Sequence, residues 1–164
     1  MKRITETALR KYLVSLLETP RIKSFIQDNS ISHCRTFLKY SQDGSLMYPL
    51  LTFRDTTYGP TFAGVSHTWI CTEIARWILA DATEAKGVMR HELAHLLHAY
   101  TNTGGMVHGK EYRAVLKVVS PITWRRDRHW HPNPVIEKAR LLVHPTSKAM
   151  DTFKVGKRYY AVHV

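Results

Sequence analysis

The chain has 164 residues, the size of one ordinary domain, and its 44% hydrophobic content with four Trp fits a globular protein and speaks against a disordered one. No apolar run approaches the roughly 18 residues a membrane span needs, and the basic start leads into an amphipathic pattern rather than a signal-peptide block, so a soluble intracellular protein is expected. The net charge of +11 is uneven: eight Lys/Arg against three Asp/Glu over residues 1–40, seven against seven over 41–120, and nine against three over 121–164.

Ile4, Ala8, Leu9, Tyr12, Leu13, Leu16 and Leu17 recur at three- and four-residue steps, which predicts an amphipathic helix over residues 4–18. Pro20 interrupts it and opens a second short helix through Ile22, Phe25 and Ile26, ending near Asp28-Asn29. From Cys34 to Arg54 the spacing becomes strand-like. Two such runs, 36–40 and 46–53, flank Asp43-Gly44 and predict a β-hairpin. A third strand is expected from Thr61 to Ile70, entered through the Gly59-Pro60 break; His67 on it is a weaker metal-ligand candidate. Thr72 to Ala82 reads as a helix on Ile74, Ala75, Trp77, Ile78 and Leu79, although part of so short an apolar run could instead extend the sheet. Cys34 and Cys71 form no CxxC pair, so neither a disulfide framework nor a cysteine zinc ribbon is expected.

The next helix is predicted to start near Thr83 and to run through Val88, Leu93, Leu96, Leu97 and Tyr100. It contains His91-Glu92-Leu93-Ala94-His95, an HExxH sequence. Residues four apart on a helix return to nearly the same face, so the two imidazoles can grip one metal ion. Glu92 then stands beside the ion, where its carboxylate can take a proton from a water the ion holds. A catalytic zinc needs a third protein ligand. His98 lies one further turn along the helix, about 5 Å past the site, which argues against it. Glu111 or Glu137 on a downstream helix would make a glutamate-type site. His108 is the strongest candidate, because Asn102-Thr103-Gly104-Gly105 lets the chain reverse and return it over the metal. A helix from Gly109 to Val119, ended by Pro121, follows it.

His91-Glu92-Leu93-Ala94-His95-Leu96-Leu97 followed by His108-Gly109-Lys110-Glu111-Tyr112 resembles the SprT-like zinc metallopeptidases, the Spartan-like protease core. That family carries HExxH, a loop of variable length, a third zinc-binding His followed by Gly, and an aromatic residue four positions after that His. Tyr112 stands at the aromatic position, where Phe or Trp is more usual. The match covers residues 88–119, with a weaker echo at Ala63-Gly64. The resemblance implies a Zn²⁺ endopeptidase with Glu92 as catalytic base and His91, His95 and His108 as ligands, acting on proteins bound or crosslinked to DNA. Two other readings stand beside it: a non-enzymatic, zinc-braced nucleic-acid-binding adaptor, and a glutamate-type zincin protease that cleaves a regulator protein.

The tail opens on Thr123-Trp124-Arg125-Arg126-Asp127-Arg128-His129-Trp130-His131, two indoles among cations. Such a cluster suits single-stranded or distorted DNA, with bases stacked on rings and phosphates held by cations; equally, a Trp pair could close the core beneath a solvated basic rim. Residues 139–145 and 153–163 read as strands, the second run turning at Gly156-Lys157. Arg125, Arg126, Arg128, Trp130, Lys154, Lys157 and Arg158 are the candidate nucleic-acid contacts. With basic flanks and a neutral middle, a polyanion drawn to the flanks would leave the metal site clear. The expected fold is α+β and minimal zincin-like, with N-terminal helices and a small, mostly antiparallel sheet packed on the HExxH helix. Residues 1–120 would form the protease core and residues 121–164 a basic, β-containing extension packed on the same domain. The expected location is cytoplasmic or nucleoid-associated.

Overall fold

The structure, a computed structural model, describes residues 2–31, 39–40, 46–47, 50–54, 64–67, 71–101, 107–131, 133–143, 152–155 and 158–161. The turns expected at Asp43-Gly44, Gly59-Pro60, Asn102–Gly105 and Gly156-Lys157 lie outside the described residues.

Helix α1 (Glu6–Leu17) begins where the Thr5 hydroxyl accepts the Ala8 N–H at 3.1 Å, and it buries Leu9, Leu13, Leu16 and Leu17. Helix α2 (Pro20–Asp28) starts on its proline, which has no N–H to leave unpaired in the first turn. Both helices fall where the apolar spacing predicts them.

Strands β1 (Lys39–Tyr40) and β2 (Leu46–Met47) pair antiparallel, Lys39 opposite Met47, as the Asp-Gly signal predicts, but only the start of the run expected over 46–53 joins this hairpin, and residues 50–54 pair in another sheet. Strands β3 (Leu50–Arg54), β4 (Gly64–His67) and β5 (Cys71–Ala75) form a second sheet in the order β3-β5-β4. This sheet is mixed rather than mostly antiparallel, since β4 runs against β5 while β3 runs parallel to it, Phe53 opposite Ile74. A link as short as residues 68–70 can join only antiparallel neighbours, so β4 takes one edge of β5 and leaves the other to β3.

The helix expected over 72–82 is instead strand β5 followed by a 3₁₀ helix, Arg76–Ala80. Thr72, Glu73, Ile74 and Ala75 are all buried, as a central strand covered on both faces requires. Such a strand shows no alternation, and without alternation a short apolar run does not declare its period. Glu73 is tolerated there because Arg54 on the neighbouring strand meets it at 2.9 Å.

Helix α3 (Ala82–Tyr100) carries the HExxH sequence and forms the centre of the molecule. Asp81 caps it, Oδ1 accepting the N–H groups of Thr83 at 2.8 Å and Glu84 at 3.4 Å. The helix packs against α1, the 3₁₀ helix and the sheet through β4 and β5, burying Val88, Met89, Leu93, Leu96 and Leu97. Helix α4 (Lys110–Val119) lies between α3 and α2, with Tyr112, Val115, Leu116 and Val119 inward.

Residues 121–131 form a chain of turns that comes back onto α3. Helix α5 (Pro134–Val143) then lies against the 3₁₀ helix. It occupies most of the stretch expected as a strand over 139–145. Asn133 caps α5, its Oδ1 accepting from Val135 and Ile136, and Pro134 fills the first position. Ile136, Ala139 and Arg140 make the inward face, and the arginine at a fully buried position, paired with Glu137, breaks the apolar pattern that would have announced a helix. Strands β6 (Thr152–Val155) and β7 (Arg158–Ala161) pair antiparallel, matching the expected second hairpin. Among the described residues no helix is long and apolar enough to cross a membrane.

Candidate metal centre

Three imidazoles converge at the open side of α3. His91 and His95 stand one helical turn apart with their Nε2 atoms 3.0 Å from each other. His108, just ahead of α4, brings its Nε2 to 3.0 Å from that of His95 and 3.2 Å from that of His91. Two donors of a tetrahedral zinc with bonds of 2.0–2.1 Å are about 3.3 Å apart. The triangle of Nε2 atoms therefore matches a three-histidine ion site to within a few tenths of an ångström. Among the described residues this is the group that could hold a metal ion, and Glu111, Glu137 and His98 are outside it. Glu137 is instead held in its pair with Arg140. The His67 side chain lies outside the described residues.

Electrostatics favour the neutral ring that a metal ligand must present. Burial lowers the His91 pKa to about 4, with the charges of His108 and His129 adding to the shift and the hydrogen bond to Asp127 opposing it. Burial also lowers His95, to about 2, reinforced by its three histidine neighbours. Both rings are thus unprotonated at neutral pH, with a lone pair available.

Tyr112 walls the site. Its ring stacks on His95 with centroids 4.2 Å apart, and its hydroxyl lies 2.9 Å from His91 Nδ1. Burial raises its pKa, as do the charges of Glu92 and Asp127, so it stays a neutral phenol. Glu92 is buried on α3 beside the ligand face, close enough for Tyr112 to feel its charge.

A second layer, absent from the sequence-based expectations, lies behind His91. Its Nδ1 is 2.8 Å from the backbone carbonyl oxygen of Asp127. The Asp127 carboxylate accepts two hydrogen bonds from Arg90, Nε to Oδ2 at 2.6 Å and Nη2 to Oδ1 at 2.9 Å. It also accepts from the Ser120 hydroxyl and from Thr123 Oγ1 at 2.7 Å. Burial opposes charge on Asp127, but Arg90 and the hydroxyls outweigh it and hold its pKa below the usual value. Arg90 in turn donates Nη1 to Tyr12 Oη on α1 at 2.5 Å. An arginine directly before the HExxH histidine, and one acid amid the cations of 125–128, were the only traces of this layer in the sequence.

Among the described side chains, the candidate nucleic-acid contacts are not gathered into one surface. Trp130 is 8% exposed and packs edge-on against Trp77 at 5.2 Å, so its faces are closed to a base and it closes the core. Arg126 is paired with Glu84, whose second oxygen accepts the His131 N–H at 2.8 Å, so it fastens the 121–131 turns to α3. Arg128 is half-buried. Arg125 is exposed and lies over Trp124 at 5.4 Å, with Lys117 over the same ring at 4.7 Å. Lys154 and Arg158 sit on β6 and β7, whose side chains lie outside the described residues, as does Lys157 altogether. Comparison of the chain with protein-family models, with curated proteins and with solved structures finds no match.

Proposed function

We propose that this protein is a zinc-dependent endopeptidase of minimal zincin-like fold that acts, inside the cell, on proteins bound or crosslinked to DNA. The observation that carries the reading is the convergence of three imidazole Nε2 atoms within 3.2 Å of one another, on the histidines flanking and following Glu92. His91, His95 and His108 would hold the ion. When bound, zinc supplies a Lewis acid that polarises a peptide carbonyl and acidifies the attacking water. Glu92 accepts the water's proton on its carboxylate and returns it to the departing amine nitrogen. Tyr112, kept protonated and pressed against His95, holds the ligand rings in place and shields them from water.

An all-imidazole donor set of three would suit a borderline divalent ion better than a hard ion that prefers oxygen donors or a soft one that prefers thiolate, and the choice of zinc among such ions rests on the resemblance. The peptidase reading rests also on the resemblance of residues 88–119 to SprT-like enzymes. The choice of DNA-bound substrates rests on that resemblance together with the +11 charge. Exposed Arg125 and Lys117 around Trp124 are described cations that could meet a polyanion.

Elemental analysis should find one zinc per chain in wild type and in Glu92→Gln, and little in His108→Ala. Wild type should cleave itself or a DNA-bound protein faster with single-stranded DNA present, and Glu92→Gln should not cleave at all. An active Glu92→Gln enzyme refutes the mechanism. Equal rates with and without DNA remove the recruitment half, and salt-sensitive DNA binding without any proteolysis would replace the enzyme by a zinc-braced adaptor.

A further inference from the structure

Asp127 is unusual among the acids near the site in touching it twice, by side chain and by backbone. Its carboxylate is buried and takes hydrogen bonds from Arg90, Ser120 and Thr123, while its backbone carbonyl faces His91 Nδ1 at 2.8 Å. A carbonyl oxygen can only accept, so this contact is a hydrogen bond only with the proton on Nδ1; the Tyr112 hydroxyl, 2.9 Å from the same nitrogen, then directs its own proton to the His91 carbonyl oxygen at 3.4 Å. Nε2, the atom that joins the triangle with His95 and His108, is then bare. Released from the carbonyl, the proton could sit on Nε2 and block the ion.

The carbonyl cannot hold this position alone, because residues 121–128 are turns rather than a helix or a strand. Two ties bind them to α3: Arg126 on Glu84 near its start, and Asp127 on Arg90 next to the ligand. Gly87 lies between them on the helix. A Cβ at that position would come within 3.1 Å of Asp127 Oδ1, so the missing side chain is what admits the carboxylate. Arg90 is itself oriented by Tyr12 from α1.

We propose that Asp127 is a positioning residue for the metal site: its caged carboxylate anchors the turn so that its own carbonyl holds the His91 proton on Nδ1 and leaves Nε2 for the ion. This rests on the metal-centre reading above. Partners that orient a ligating imidazole typically contribute about 10–100-fold in metal affinity.

Chelator competition with Zn²⁺ and ¹⁵N NMR of the imidazoles in chelator-treated protein test it together. Asp127→Asn and Asp127→Ala should weaken zinc binding about 10–100-fold and shift part of the His91 proton to Nε2. Thr123→Val, which removes one bond to the carboxylate, is the milder variant and should do the same more weakly. Ile136→Ala serves as the control for stability alone, since this fully buried residue lies on α5 against the 3₁₀ helix, outside the turns that carry Asp127, and should leave zinc affinity and the His91 tautomer as in wild type. Wild type binding one zinc, lost in His95→Ala but intact in all three cage variants with the His91 proton still on Nδ1, overturns this inference and spares the metal site. Wild type that binds no zinc removes the metal reading and this inference with it.

Discussion

Acidifying the metal-free protein from pH 7 to pH 5 should remove about 3 kcal/mol of its stability, through His91 and His95. In the folded chain burial holds their pKa values near 4 and 2. In the unfolded chain they titrate at about 6.5. Below that value the unfolded state binds more protons than the folded one, so stability falls as pH falls, for His91 until about 4 and for His95 further still. Each proton difference is worth about 1.4 kcal/mol per pH unit, so by pH 5 each ring accounts for at most about 2 kcal/mol. Both rings keep some exposure, and each is shifted partly by the other histidines, which brings the joint figure down to about 3 kcal/mol. That is a large share of the roughly 5–15 kcal/mol typical of a domain. Urea midpoints in chelator at pH 7, 6 and 5 measure it, and His95→Ala should roughly halve the slope. Excess zinc should move the loss to lower pH, because the ion competes with protons for the same nitrogens. Asp127, whose pKa is also lowered, keeps its full stabilising contribution above about pH 4 and loses it only below, outside this window. A midpoint that does not move between pH 7 and pH 5 would show that the two rings are solvated, and the account of the site's electrostatics would be wrong.

Three further outcomes test the frame around the site. Trp130→Ala should cost about 3–5 kcal/mol in urea unfolding, because the indole is buried edge-on against Trp77, while DNA affinity at fixed salt stays unchanged; a stable variant that binds DNA poorly would return Trp130 to the interface. Asp81→Ala removes the cap of α3 and the bond that Asn133 Nδ2 makes to Asp81 Oδ2 at 2.9 Å, and should lower stability by about 1–2 kcal/mol without changing zinc content. Gly87→Ala brings a helix-propensity gain of about 1 kcal/mol. It also sets a methyl group 3.1 Å from Oδ1 of the Asp127 carboxylate, a group that four hydrogen bonds, one to Oδ1 and three to Oδ2, prevent from moving aside, and a net loss of about 1 kcal/mol is expected; a gain would show that the cage yields.

Where sequence and structure part company, the cause is tertiary each time. Strand β5 hides in an apolar run because both its faces are covered, and periodicity reports a face only when the opposite face meets water. Helix α5 was masked by Arg140, a buried charge that Glu137, one turn before it, pairs; the Asn133-Pro134 start was a legible sign of the helix. Trp130 reads as a stacking platform in a basic stretch, yet Trp77 comes from far up the chain to cover it.

The chain alone determined the two-histidine grip and the acid beside it, because helix geometry is local and a four-residue spacing needs no further information. It also determined the N-terminal helices and both hairpins, whose turn and cap signals act within a few residues. Which donor could complete the triangle was decided by how α4 packs on α3, and that packing seats His108 rather than Glu111 there. What stands behind His91 was decided by folding as well. Arg90 and Asp127 are 37 positions apart, and only the closing of the 121–131 turns over Gly87 turns them into one support for a metal ligand.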